Sequence, residues 1–517
     1  MSEAMGVKKG FFRPRGATAF ILALVLLLSW SAPGGDSCAL AQEKRLRILH
    51  VNDFHGFAEP IRTLKPGEVL GGVAYLAGRA SELRAADNVS SLFLAAGDMI
   101  QGHPWANMTK GKSSVELMNL LGVDVMVLGN HEFDFGPETL RDRIREMGFP
   151  VLGANVGGLD NILPYVLIEK GGVRVAVLGL VTPETPRSTH PDNVRGMTFA
   201  DAAALCRRYM PQLKGKADVI VLLTHLGHLN DLELARECPG AHAVVGGHSH
   251  TRVDEPPLVG GTLVAQAWEH AKALGVVDFT VAADGSVQAR GRLEMIRPGI
   301  SKPDDAVAAL VARYTKELEA AASEVLARTT VFLEGDGSRS RETNLGDLVA
   351  DVVRERTGAQ IALLNGGSIR GSLPAGAVRL QDLQAALPFD SFPVVVKMKG
   401  TEVRWVLEHG LARIEEGSGA FLQVSGLRIA FCPTAQSGKR LRRIETAKGP
   451  LMDEEEYTVV VNDFMAAGGD GFTLLRDLVG KDESWRGETI RDMVADFLRR
   501  RGEVAPVTDG RILTVED

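Results

Sequence analysis

Cysteine is scarce in this chain. Cys38, Cys206, Cys238 and Cys432 are four in 517 residues, which excludes a disulfide-framed scaffold, and their spacing excludes a zinc finger. Positive charge is also short: 58 Lys and Arg face 65 Asp and Glu, and a net charge of −7 excludes the basic footprint of a protein that binds nucleic-acid polymers. A phosphate substrate is not excluded, because a bound cation supplies positive charge locally. Long apolar runs are missing after the first thirty residues, so no later stretch is a transmembrane segment. Fixed-period repeats and low-complexity tracts are missing as well, which removes solenoids. Histidine is almost missing from one half: of 12 histidines only His409 lies beyond residue 300. What remains is 45% apolar and 24% charged, a globular composition in a chain too long for one ordinary core.

The N-terminus reads as a targeting segment. Lys8, Lys9, Arg13 and Arg15 precede an apolar run from Ala17 to Trp30, shorter than the roughly 20 residues of a membrane span. Ala39-Leu40-Ala41 fits the small-x-small cleavage rule. A signal peptide is therefore expected over residues 1–41, and with it an exported protein, periplasmic before extracellular. Lipid attachment at Cys38 is the alternative, although its flank, Gly35-Asp36-Ser37, lacks the usual apolar residue. With Cys38 removed, three cysteines cannot all pair. Cys206 could join Cys238 in an exported chain, and buried free thiols are the reading adopted.

From residue 46 to about 290, short apolar runs alternate with helical patterns. The runs cover 46–51, 91–96, 123–128, 173–180, 218–223, 243–245 and 262–265, and helical spacing covers 72–85, 113–121 and 199–213. This alternation predicts an α/β layered domain. Residues 301–327 differ: Val307, Leu310, Val311, Tyr314, Leu318 and Val325 lie at helical spacing among charged residues and predict one long amphipathic helix. A second α/β region follows, with helices at 344–357, 401–414 and 488–500 and strands at 361–364, 427–431 and 457–461. The expected organisation is a signal over 1–41, a first domain over 42–300, a connecting helix over 301–327 and a second domain over 328–517.

Polar clusters follow five of the first-domain runs. They are Asn52-Asp53-Phe54-His55, Gly97-Asp98, Gly129-Asn130-His131-Glu132-Phe133-Asp134, Thr224-His225 and Gly246-Gly247-His248-Ser249-His250. Any one of them could be a capped turn. Ligands in open α/β sheets gather outside the carboxyl ends of strands, so the five converge if their strands share a sheet. Carboxylate, imidazole and one amide suit Zn, Mn or Fe better than Ca or Mg. If two metals sit side by side, one group must bridge, and Asp98 is the candidate. Asp53, His55 and His250 would complete one metal, and Asn130, His225 and His248 the other. Glu132 reads as scaffold and His50 as a core or supporting histidine; His103, His228 and His270 are left outside the site.

In the second half, Asn365-Gly366-Gly367-Ser368-Ile369-Arg370 follows a strand. Its glycines let the backbone approach a ligand, Gly367 among them, and Arg370 can fork onto phosphate or carboxylate. A plain turn explains the stretch equally well. Arg339 lies upstream; Phe389, Phe464 and Gly468-Gly469-Asp470-Gly471 lie downstream. Two loop aromatics could sandwich a flat base, at about 1–3 kcal/mol per stacked base, or they could be ordinary core residues.

The five clusters, in this order, closely resemble the calcineurin-like metallophosphoesterases. With the C-terminal motifs, the chain resembles the secreted bacterial 5'-nucleotidase and UDP-sugar hydrolase family. The resemblance implies an α/β fold: an N-terminal sandwich of mixed sheets flanked by helices, a long connecting helix and a smaller α/β substrate-binding domain. It implies two divalent metal ions, Zn, Mn or similar, on the ligands given above. It implies that His131 stabilises charge on the phosphoryl group or leaving oxygen while Asp134 orients it. Phe389 and Phe464 would then stack on the base, Asp470 would contact the ribose hydroxyls, and Arg339, Asn365 and Arg370 would hold polar groups. The family brings its two domains together by rotating the second. The activity implied is hydrolysis of nucleoside 5'-monophosphates; a UDP-sugar, a 2',3'-cyclic nucleotide or a nucleoside di- or triphosphate is the alternative substrate, and a non-catalytic nucleotide-binding protein the remote one.

Overall fold

The computed structural model describes residues 43–63, 65, 67–479 and 487–516, so the signal-peptide reading of residues 1–41 lies outside the described residues. Among the described residues, no helix is long and apolar enough to cross a membrane.

Aliphatic runs build two six-stranded sheets in the first half. One has the order Val287–Met295, Ala273–Val281, Lys44–Val51, Ser90–Ala95, Val125–Val127, Val151–Leu152. The other has the order Leu258–Val259, Thr262–Gln266, Ala243–Gly246, Val219–His225, Val173–Val181, Tyr165–Lys170. Strands that end in the polar clusters run parallel to one another within each sheet. Antiparallel strands on one side of the first sheet and at both edges of the second make both sheets mixed.

Alternation along each strand sorts side chains into layers. Val173, Val175 and Val177 enter a core shared with Leu46, Ile48 and Phe93 of the facing sheet. Ala176, Leu178 and Leu180 point the other way, under the helices Ala202–Lys214 and His228–Glu237. Each fully buried Val, Leu or Phe contributes about 1.5–3 kcal/mol, so the register that assigns these faces is strongly fixed. The clusters thus come from two facing sheets and not from one. They meet because both sheets present their carboxyl ends at a common rim, where His225 of the second sheet hydrogen-bonds the Ala96 carbonyl beside the first.

Cys206 and Cys238 form a disulfide, which corrects the reading of them as free thiols; Cys432 is free and buried. The cause is packing. Cys206 lies within Ala202–Lys214 and Cys238 caps His228–Glu237, and both helices sit on the outer face of the second sheet. Their Cα atoms come to 6.1 Å, inside the range a disulfide spans.

The amphipathic helix covers Asp305–Ala322, and the Asp304 carboxylate caps it by accepting from the Val307 amide at 2.9 Å. Val307, Val311, Tyr314 and Leu318 bury into the first core, where Tyr314 meets Trp105 edge-on. Val325, read as its last apolar position, instead opens the strand Val325–Thr329 and is 52% exposed. An interval of seven from Leu318 fits a helical face whether or not the helix continues.

The second half centres on a sheet of order Pro393–Lys399, Glu456–Asn462, Ile361–Asn365, Leu422–Ser425. Ile361 and Leu363 face a core with the helix Gly400–Leu411. Ala362 and Leu364 face another with the helices Asn344–Thr357 and Ile490–Arg501. Asn365 thereby ends a central strand, as the first-half clusters do.

Candidate active site

Six side chains from four strand ends, those of Asp53, His55, Asp98, His225, His248 and His250, meet at the rim of the first half, and Asn130 follows a fifth strand. Asp53, His55 and His250 place potential ligand atoms within 4.8 Å of one another, and Asp98, His225 and His248 do the same. His250 Nε2 lies 3.2 Å from Asp53 Oδ1, and His55 Nε2 lies 3.8 Å from Asp98 Oδ2. His225 Nε2 lies 3.0 Å from Asp98 Oδ2 without hydrogen-bond alignment, so it is a buried nitrogen with no hydrogen-bond partner. Asn130 Nδ2 donates to the Ser188 carbonyl, which leaves its Oδ1 buried and unpartnered. These two orphaned atoms and the mixed nitrogen and oxygen donors fit divalent cations.

The approach is tight enough to require glycine. Gly97 holds φ +84°, and a Cβ there would lie 2.5 Å from His225 Nδ1. Charge is equally concentrated. Burial would lower His225, but Asp98, with Asp53 behind it, raises it to about 10. Burial likewise opposes His250, and Asp53 and Glu269 raise it to about 9. Burial and the neighbouring His225 push His248 down to about 3. The carboxylates thus hold protons on imidazoles at places where a bound cation would displace them.

Several supporting groups fix these rings. His55 Nδ1 donates to the Gln101 carbonyl at 2.8 Å and His225 Nδ1 to the Ala96 carbonyl at 2.7 Å, which leaves each Nε2 facing the site. His250 Nδ1 meets Glu269, which also takes Lys272 Nζ. Asn52 Nδ2 donates to Asp53 Oδ2, and the His248 amide donates to the same oxygen. Glu269 escaped the sequence reading. His270, left outside, lies with its ring 5.9 Å from His55 and 5.8 Å from His250, stacked on Phe57. Both follow the strand Thr262–Gln266, whose end carries no motif of its own; that position past a strand is the signal that could have found them. His103 and His190 cap short helices, and His242 accepts the Ile220 amide. His50 is buried, and burial lowers it to about 4.

His131 stands beside this cluster, its ring 5.1 Å from that of His55. Its Nδ1 lies 2.6 Å from Asp134 Oδ2. Asp134 is held in turn by the Thr189 hydroxyl at 2.6 Å and, through its carbonyl, by Asn193. The arrangement fixes the ring through Nδ1 and leaves Nε2 outside the pair with Asp134.

The second half contributes two groups. In one, Asn365 Nδ2 donates to Asp470 Oδ2 at 2.8 Å and Asn365 Oδ1 accepts from Asn462 Nδ2 at 2.7 Å. Asp470 holds φ 51°, His409 Nε2 donates to its carbonyl, and burial raises its carboxyl. The Gly367 amide bonds the Gly419 carbonyl in the adjoining turn. Phe464 lies flat over Gly469, where a Cβ would come 2.4 Å from the ring. The other group faces the first half. Phe389 stacks at 6.1 Å and 26° from the His131 ring. Burial lowers Arg339 to about 10, with Arg370 adding to the fall and Asp470 and Glu269 opposing it. Arg370 is near enough to depress His55 and His270. No ring contact joins Phe389 to Phe464 among the described residues.

Two family models match the chain: calcineurin-like phosphoesterase over residues 46–252, and 5'-nucleotidase, C-terminal domain, over residues 323–477. A snake venom 5'-nucleotidase from Naja atra is 31% identical, over 90% of this chain and 98% of its own. The crystal structure of a 5'-nucleotidase precursor from Thermus thermophilus is 34% identical, covers 92% of this chain and 100% of its own, and superposes with a TM-score of 0.85. A trifunctional nucleotide phosphoesterase from Bacillus subtilis is 30% identical over 91% of this chain, which spans 35% of that protein's length. The chain belongs to the 5'-nucleotidase family and is a phosphoester hydrolase.

Proposed function

We propose that this hydrolase is an exported, metal-dependent 5'-nucleotidase that releases phosphate from nucleoside 5'-monophosphates. The observation that carries the reading is the meeting of the two halves, with Phe389 stacked beside His131 at the ion-binding rim. A base in the second half and a phosphate in the first can then belong to one small substrate. Asp53, His55, Asp98 and His250 would hold one ion, and Asp98, Asn130, His225 and His248 the other. When bound, such ions neutralise phosphoryl oxygens and lower the pKa of an attacking water.

The chain's own residues do the rest. Asp134 orients His131, whose Nε2 stabilises charge on the phosphoryl group or the leaving 5'-oxygen. Arg339 and Arg370 supply positive charge for the substrate's anionic groups. Asn365 and Gly367 shape the turn, Asp470 takes the ribose hydroxyls, and Phe389 and Phe464 stack on the base. Export is supported by the Cys206–Cys238 disulfide, which suits an oxidising compartment, together with the N-terminal segment.

A substrate panel tests this: AMP against a UDP-sugar, a 2',3'-cyclic nucleotide, ATP and ribose 5-phosphate. AMP is expected to be the best substrate. Phe389→Ala and Phe464→Ala should each raise KM for AMP about 5- to 150-fold, the equivalent of 1–3 kcal/mol of stacking, with little change for ribose 5-phosphate. Equal effects on both substrates would remove the base slot. Tight AMP binding without phosphate release would favour a non-catalytic protein.

A further inference from the structure

Glu132 lies in the middle of the site, and its side chain is fully buried. Its Oε1 accepts from the Met99 amide at 2.6 Å and the Ile100 amide at 3.3 Å. Its Oε2 accepts from the Asp98 amide at 2.8 Å and the Gly129 amide at 2.6 Å. Four donors engage the four lone-pair sites of one carboxylate, so Glu132 has none left for an ion or a substrate. Three donors come from consecutive residues, the first of which, Asp98, holds φ 57°. Successive N–H groups around a left-handed residue form a concavity that binds anions. The fourth donor is Gly129, next to Asn130. One buried carboxylate therefore joins the loop after Ser90–Ala95 to the loop after Val125–Val127.

Both loops carry candidate ligands. Asp98 Oδ2 stands 3.0 Å from His225 Nε2 and 3.8 Å from His55 Nε2, between the two donor groups. Asp98 Oδ1 also accepts from the His131 amide at 2.9 Å. We propose that Glu132 is a positioning residue that holds Asp98 midway between the two ion sites, so that both sites depend on Glu132 together. This rests on the proposed reading of Asp98 as the ligand common to both ions.

Glu132→Gln keeps the side chain's length but replaces one acceptor oxygen with an amide NH2, which sets two backbone N–H donors against another donor. Glu132→Asp keeps the charge and withdraws it by one methylene. The full chain, stripped of ions by a chelator, is titrated with Mn2+ by calorimetry, and its metal-free melting temperature is read alongside. Wild type should take up two ions. Glu132→Gln should lose affinity for both in parallel, by about 10–100-fold, the range typical of groups that orient metal ligands. Glu132→Asp should fall between the two, and it decides the matter if Glu132→Gln does not fold. A lower metal-free melting temperature with unchanged ion affinities marks a purely structural role and overturns the proposal, as does a loss confined to one ion. A wild-type chain that binds a single ion overturns the shared-ligand reading and the proposal with it.

Discussion

A side chain that must turn back into a site straight after a strand gives up extended backbone. Asp53, His55, Asp98, His248 and His250 hold φ of 49°, 49°, 57°, 81° and 50°. Left-handed backbone costs roughly 1–2 kcal/mol for a residue with a Cβ. Local amides offset that cost: the Asp53 amide bonds the Gly97 carbonyl at 3.0 Å, and the His55 amide bonds the Asp98 carbonyl at 3.1 Å. Strain retained at five of seven candidate ligands is the pattern expected where position matters more than stability. His131 carries no such strain; what holds it is Asp134, at 2.6 Å. His131→Ala should lower kcat about 10²–10⁴-fold while the protein still takes up its ions, and Asp134→Asn should lower it less. Unchanged kcat in His131→Ala would remove its role.

At this scale the sequence was most legible where chemistry is local. Asp53 with His55, and His248 with His250, lie two apart at strand ends, so each pair reads directly. Glu269 did not, because its partner His250 is 19 residues away and reaches it only through the fold. The four amides that meet Glu132 come from 32 to 34 residues upstream and from Gly129, and side-chain patterns carry no trace of backbone donors.

Among the elements, parallel strands buried on both faces announce themselves as unbroken aliphatic runs. The edge strand Pro393–Lys399 does not, because it alternates: Val394, Val396 and Met398 are buried while Val395, Lys397 and Lys399 are exposed. The helix Asn344–Thr357 was readable from its pattern, and the Thr343 side chain caps it by accepting from the Gly346 amide, but its hidden charge was not readable. Asp347 in its first turn is 2% exposed. Burial raises its carboxyl to about 8, with Glu342 and Asp509 adding to the rise and Arg511 opposing it. The fold therefore favours the neutral acid over an unfolded value of about 3.9. That contribution is complete below about pH 4 and is lost as pH climbs through the folded value. The urea midpoint should accordingly fall between pH 5 and 9 more steeply in wild type than in Asp347→Asn, which has nothing to titrate there. Parallel slopes would show that Asp347 is ionised throughout.

Across the whole molecule, the contacts between the two halves include a hydrogen bond, an ion pair and a ring stack. Asn107 Nδ2 donates to the Pro388 carbonyl at 3.2 Å, Arg413 pairs with Glu184 at 3.3 Å, and Phe389 stacks beside His131. An exposed ion pair such as Arg413 with Glu184 contributes only about 0–1 kcal/mol. The helix Asp305–Ala322 is packed into the first core, so any hinge between the halves belongs after Ala322. Sequence patterns could suggest a phosphate site and a base site, and only the family resemblance implied that the two meet, since His131 and Phe389 are 258 positions apart and packing brings them together. If that apposition serves catalysis, ions in the first half and a nucleotide gripped by the second must work as one site. The most direct measurement is phosphate release from AMP by the purified chain, before and after ions are stripped with a chelator and restored as Mn2+ or Zn2+, with bound ions counted in each state. Release should fall to background without ions and return as two ions bind per chain. Release that persists in the ion-free protein, or two bound ions with no release from any nucleotide, would contradict it.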